Sequence, residues 1–64
     1  MLYILLAERE AQTALKMGRG TLEELAEIIE AAEEEGSWPE GFDAVARPVG
    51  GGAPFVYADD WEEF

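Results

Sequence analysis

Thr21-Leu-Glu-Glu-Leu-Ala-Glu-Ile-Ile-Glu-Ala-Ala-Glu-Glu-Glu-Gly36 is the stretch on which the fold turns. Thr21 with Glu24 makes a capping box, and Gly36 stands where a helix C′ residue belongs. At about 100° per residue, Leu22, Leu25, Ala26, Ile28, Ile29 and Ala32 share one face. Glu23, Glu27, Glu30 and Glu34 line the opposite face at steps of about 6, 4.5 and 6 Å along the axis. The segment holds seven glutamates and no basic residue. A helix built for stability alone places lysines four residues after its glutamates and cations in its last turn. This one ends Glu33-Glu34-Glu35, against the negative end of its own dipole. The acid row reads either as a solubilising, halophile-like surface or as a surface meant for a cationic partner.

Working outward, Leu2 to Ala7 is a strand whose nearly continuous apolar run predicts cover on both faces. Glu8 to Gln12 is polar and reads as a turn. Thr13 to Met17 alternates, with Thr13, Leu15 and Met17 on one side and Ala14 and Lys16 on the other. That pattern fits a second strand paired with the first; the rival is a short helix from Glu8 to Met17, which residue propensities support. The hairpin is preferred, since a lone first strand needs other partners. Gly18-Arg19-Gly20 reads as a hinge into the helix.

After Gly36, Ser37-Trp38-Pro39-Glu40-Gly41 is turn chemistry. Trp38 reads as a lid over the helix end. Phe42 to Arg47 predicts a strand whose pairing Pro48 limits. Gly50-Gly51-Gly52 is a loop, and Ala53 to Ala58 reads as a last strand. The expectation is an α+β fold: a small antiparallel sheet, ββαββ or βαββ, with one acidic amphipathic helix across a face. Residues 1–64 form a single domain with an acidic C-terminal tail at 59–64. In that tail Trp61 and Phe64 argue against complete fraying, because either could dock on the sheet.

Composition narrows the function. The chain has 64 residues, near the lower limit for a self-sufficient core, and carries no cysteine for a disulfide or thiolate site. Fifteen acids against four bases give a formal charge of −11. That charge disfavours direct binding to nucleic acid or an anionic membrane and favours a basic protein partner. The apolar run Met1–Ala7 is too short to span a bilayer and lacks the pattern of a signal peptide, so a cytoplasmic protein is expected.

Catalysis is not expected. There is no histidine or cysteine, and Ser37 has no plausible base. Neither glycine cluster has the ending of a phosphate loop, and Asp59-Asp60-x-Glu62-Glu63 lacks the spaced ligands of a calcium loop. No cofactor or metal is expected. The expected partner-binding residues are Glu23, Glu27, Glu30, Glu34, Asp59, Asp60, Trp61, Glu62 and Glu63. DNA presents a phosphate about every 3.4 Å along each strand's axis. A rigid helix with a carboxylate every turn is a crude equivalent. Trp38, Tyr57 and Trp61 are candidate anchors, because charge alone gives attraction with little specificity.

Very short, cysteine-free, acidic chains with such a glutamate row resemble phage-encoded inhibitors, including anti-CRISPR proteins that imitate DNA to block a surveillance complex. Thr21-Leu22-Glu23-Glu24, then Pro39-Glu40-Gly41-Phe42-Asp43 and Arg47-Pro48, are similar to the helix-to-strand stretch of small phage inhibitors of bacterial RNA polymerase. The spacing to the Arg-Pro pair departs from that pattern, and the first strands do not match. The resemblances imply a non-catalytic inhibitor of a basic nucleic-acid-binding complex, with a CRISPR effector subunit first and RNA polymerase next. In an infected or mobile-element-carrying bacterium it would act in the cytoplasm. The chain itself is expected to be a monomer or weak homodimer. The alternative from another class is an assembly module that dimerises through a sheet edge or apolar face.

Overall fold

A computed structural model describes residues 1–9 and 14–63. Strands β1 (Tyr3–Glu8) and β2 (Leu15–Gly20) precede helix α1 (Leu22–Glu35), and β3 (Asp43–Pro48), β4 (Phe55–Ala58) and β5 (Asp60–Glu63) follow it. The fold is α+β: one helix against a five-stranded antiparallel sheet in the order β2-β1-β3-β4-β5. The ββαβββ chain order has one strand more than ββαββ and two more than βαββ.

The helix begins and ends where its caps dictate. Glu24 N–H donates to Thr21 Oγ1 at 3.3 Å, and Thr21 N–H donates to Glu24 Oε1 at 3.0 Å. At the other end Gly36 adopts φ 74°, a left-handed conformation that costs glycine least. Its N–H donates to the Glu33 carbonyl and that of Ser37 to the Ala32 carbonyl, the paired bonds of a Schellman motif.

One sheet face meets the helix. Strand alternation puts Tyr3, Leu5 and Ala7, Ala44 and Ala46, Phe55 and Tyr57, and Trp61 on that side. Leu5, Leu25, Ile29, Ala44 and Ala46 form the buried cluster. The alanines matter because β3 is the central strand. Their small side chains leave room for the helix above, while Tyr3 and Phe55 close over the same strand edge to face at 5.9 Å. The apolar helix face sorts as its periodicity predicts, with Leu25, Ile29 and Ala32 buried and Leu22 and Ile28 packed beside them.

The region before the helix differs from the expected hinge. Gly18, Arg19 and Gly20 complete β2 and pair with Leu5, Ile4 and Tyr3. The register slips between Leu5 and Leu6, leaving Met17 as the extra residue of a bulge that packs against the core. Glycine is required here by close approach: a Cβ on Gly18 would lie 2.7 Å from Ile28 Cδ1. Leu15 and Lys16 take the expected opposite faces. Of the turn expected at Glu8 to Gln12, Glu8 is the last residue of β1, and residues 10–12 lie outside the described residues, as do Thr13 and Phe64. The rival helix up to Met17 is excluded over its last part, because Leu15 to Met17 are strand.

The expected tail is the other difference. Asp60–Glu63 is strand β5, hydrogen-bonded to β4 after a reversal at Asp59, whose φ is 73°. Aspartate tolerates that left-handed conformation better than most residues. Trp61 packs edge-to-face on Tyr57 at 4.9 Å, and its indole Nε1 donates to the Leu22 carbonyl at 3.0 Å. That bond ties the last strand to the first turn of the helix. No described helix is long and apolar enough to cross a membrane.

Candidate protein-interaction surface

The helix fixes the spacing of its own acids. Glu23, Glu27, Glu30 and Glu34 are all exposed on the side of α1 turned away from the sheet. Glu33 and Glu35 are exposed as well, and the last turn contains no basic residue. Among the described residues the salt bridge is Arg47–Glu8, so none of these glutamates is neutralised by a described cation.

The cations stand elsewhere. Lys16 and Arg19 pair opposite Leu6 and Ile4, and Arg47 alternates with Ala46. All three therefore belong to the sheet face remote from the helix. The sheet thus separates these cations from the helical acids, although Glu8, Asp43 and Glu62 share the cations' face. An anionic ridge occupies one side and most of the basic residues the other.

The expected flanking acids divide. Asp59 and Asp60 lie at the β4–β5 reversal, where Asp60, opposite Ala58, shares the face of Glu62 by strand alternation. Partial desolvation, followed by the fields of Glu30, Asp60, Asp59 and Glu33, raises the Tyr57 phenol above its ordinary value. The fields of two helical acids and two hairpin acids thus reach one hydroxyl. Asp60 also accepts the Trp61 N–H at 2.8 Å through Oδ1. Glu63, opposite Phe55, is on the helix side of the edge strand; Glu62, opposite Val56, is on the remote face. Glu62 is therefore not continuous with the ridge.

The aromatic anchors are largely spent on the fold. Trp38 is half-buried against the core and donates Nε1 to the Phe42 carbonyl at 3.0 Å, as a lid over the helix end would. Trp61 is half-buried and bonded to Leu22. Tyr57 is the candidate anchor around which acids gather. Glu33 belongs with it, and its position three residues after Glu30 on the helix was the available signal.

Among the described residues, no group of three or more carboxylates is placed to hold a metal ion. The exposed glutamates of α1 make this helix face a rigid polyanion. Comparison with protein-family models, with curated proteins and with solved structures finds no match.

Proposed function

We propose that the chain is a non-catalytic acidic inhibitor, a DNA mimic of the anti-CRISPR type. In this reading it occupies the cationic DNA-binding groove of a bacterial defence complex in the cytoplasm. The observation that carries the reading is the ordered row Glu23, Glu27, Glu30 and Glu34, exposed and unpaired among the described residues. A solubilising surface needs charge but no such order, and it gains nothing from glutamates at the negative end of a helix dipole. In this reading Asp59 and Asp60, whose fields reach Tyr57 together with those of Glu30 and Glu33, would add flanking charge. A groove lined with lysine and arginine would be drawn to this row by the long-range field that attracts it to DNA.

The experiment is a pull-down from bacterial lysate, eluted with stepped salt and competed with duplex DNA. Recovery of a DNA-binding complex that duplex DNA displaces supports mimicry; recovery of RNA polymerase redirects the target. The triple substitution Glu27→Lys, Glu30→Lys, Glu34→Lys should abolish capture. It should leave the protein folded and at least as thermally stable, because it relieves like-charge repulsion near the helix C-terminus. Unchanged capture by that variant at matched salt would end the reading.

A further inference from the structure

The sheet ends in two unlike edges. Among the described strands, β2 pairs only with β1 and β5 only with β4, so each has an outer side without a strand. Such an edge offers unpaired backbone N–H and C=O groups to another strand. β5 surrounds them with Asp60, Glu62 and Glu63. β2 carries Lys16 and Arg19, both exposed and in no ion pair among the described residues.

The bulge decides where those two cations stand. Residues three apart in a regular strand lie on opposite faces. Here the register skips Met17, so Lys16 pairs with Leu6 and Arg19 with Ile4, and both share the face remote from α1. The acid of β1 on that face, Glu8, is bonded to Arg47 instead. The helix side of the same edge is apolar. Leu15 is 45% exposed there, Met17 and Ile28 are partly buried, and Ile28 lies over Gly18, which has no side chain of its own.

We propose that the β2 edge takes up an extended segment of a partner protein, with acidic, bulky apolar and acidic residues in succession. The mode is strand addition, in which main-chain hydrogen bonds supply affinity and alternate side chains supply specificity. A strand laid on the outer side of β2, as β1 lies on the inner, sets one residue against Lys16. Its next residue meets the Met17–Gly18 bulge, and its third meets Arg19. The first and third share the cations' face and are matched by Asp or Glu. The second faces Met17 and Ile28 and is matched by Ile, Val or Phe. The order reads the same in either strand direction. Lysine on an edge also deters indiscriminate pairing, which reserves this edge for strands that neutralise it.

Charge argues against a second copy as the occupant. β2 laid against β2 opposes cations to cations. The β5 of another copy has the order Asp60-Trp61-Glu62, but it brings a whole chain of charge −11, whereas a lone segment brings two charges. The proposal is independent of the inhibitor reading, because it uses none of the helical glutamates.

NMR titration of the isotope-labelled chain with capped peptides tests it. Salt of about 0.15 M screens the helical acids beyond about 8 Å. The probe is Thr-Thr-Glu-Ile-Glu-Thr-Thr, which should shift the amides of Lys16 to Gly20 and leave those of β5 unmoved. Thr-Thr-Glu-Glu-Ile-Thr-Thr, of equal charge and composition, should bind about tenfold more weakly, since only one acid then meets a cation. Lys16→Glu with Arg19→Glu should weaken the first peptide by about tenfold or more with unchanged circular dichroism. That variant should bind Thr-Thr-Lys-Ile-Lys-Thr-Thr instead. The proposal is overturned if the β2 amides stay unmoved, if the two acidic peptides bind alike, or if the charge-reversed pair fails to associate. It is equally overturned if sedimentation shows the chain associating with itself and the Lys16/Arg19 variant does not, because the occupant is then a second copy.

Discussion

Arg47 and Glu8 are joined across β3 and β1 by two hydrogen bonds, although neither is the other's cross-strand partner. Nε donates to Glu8 Oε2 at 2.7 Å and Nη2 to Oε1 at 2.9 Å. Arg47 sits opposite Ile4 and Glu8 opposite Asp43, so the two side chains reach toward each other over the Leu6–Val45 pair between them. This strap explains why Val45, on the face without a helix, is only 3% exposed. The aliphatic stem of Arg47 covers apolar surface while its charged end stays wet. The bond to Glu8 is also the first cause of the raised Arg47 pKa, with the Glu8 charge second.

Arg47→Ala should therefore cost more than a surface ion pair. The pair itself is about half exposed on the arginine side, which limits its worth to about 1 kcal/mol or less even with two hydrogen bonds. Loss of the stem adds exposure of Val45 and Leu6, for a total of about 1–2 kcal/mol. Arg47→Met should recover the stem's share alone. Urea unfolding of the single variants and the Glu8→Gln/Arg47→Met double mutant separates the two parts. Equal losses from Ala and Met would show that packing contributes nothing.

Gly18→Ala should destabilise by about 1–3 kcal/mol through overpacking against α1. The obstruction is a single atom, Ile28 Cδ1, 2.7 Å from the new Cβ. Ile28→Val removes that atom, so the double variant should regain most of the loss. Thermal unfolding of the four proteins gives the coupling. Additive effects would mean that the helix moves away from β2 instead of pressing on it.

Trp61→Phe should cost about 1–2 kcal/mol, chiefly by leaving the Leu22 carbonyl without its indole donor. Its effect should be local. Amide exchange in β5 and the first turn of α1 should quicken before that of β1 and β3, because the bond joins only the former pair. Uniform acceleration would indicate that β5 opens only with the whole sheet.

Tyr57 makes an alkaline prediction with a definite sign. Its folded pKa is raised above 10.0, by desolvation first and then by Glu30, Asp60, Asp59 and Glu33. The unfolded chain loses its proton first as pH rises. The contribution is therefore complete below the unfolded value and is lost as pH climbs through the folded one. In a Tyr3→Phe background, ultraviolet titration should place Tyr57 above the ordinary phenol range. Glu30→Gln with Glu33→Gln should bring it down. An unmoved titration would put these acids farther from the hydroxyl than their fields imply.

Local chemistry made much of the fold legible. The capping box, the left-handed glycine and the 3.6-residue period of Leu22, Leu25, Ile28 and Ile29 act within one turn, so α1 could be bounded from its own residues. The alternation of Leu15, Lys16 and Met17 likewise anticipated their faces. Gly18 and Gly20 misled in the other direction. Glycine has no strand signature, and its use here depends on how closely a helix, distant in the chain before folding, approaches β2. Asp60-Trp61-Glu62-Glu63 reads as an acidic tail docked through its aromatics, not as a strand, because its acids are poor strand formers. Pairing with β4 and the Trp61–Leu22 bond override that preference.

Sequence by itself determined the helix, its caps and the anionic spacing of one side, because those properties arise from neighbours along a single chain segment. Tertiary structure decided where the cations went, which acids gather at Tyr57, and which end of the chain supplies the fifth strand. Those outcomes depend on register between strands separated by tens of residues. A register pairs side chains by position in space, and no local period encodes it.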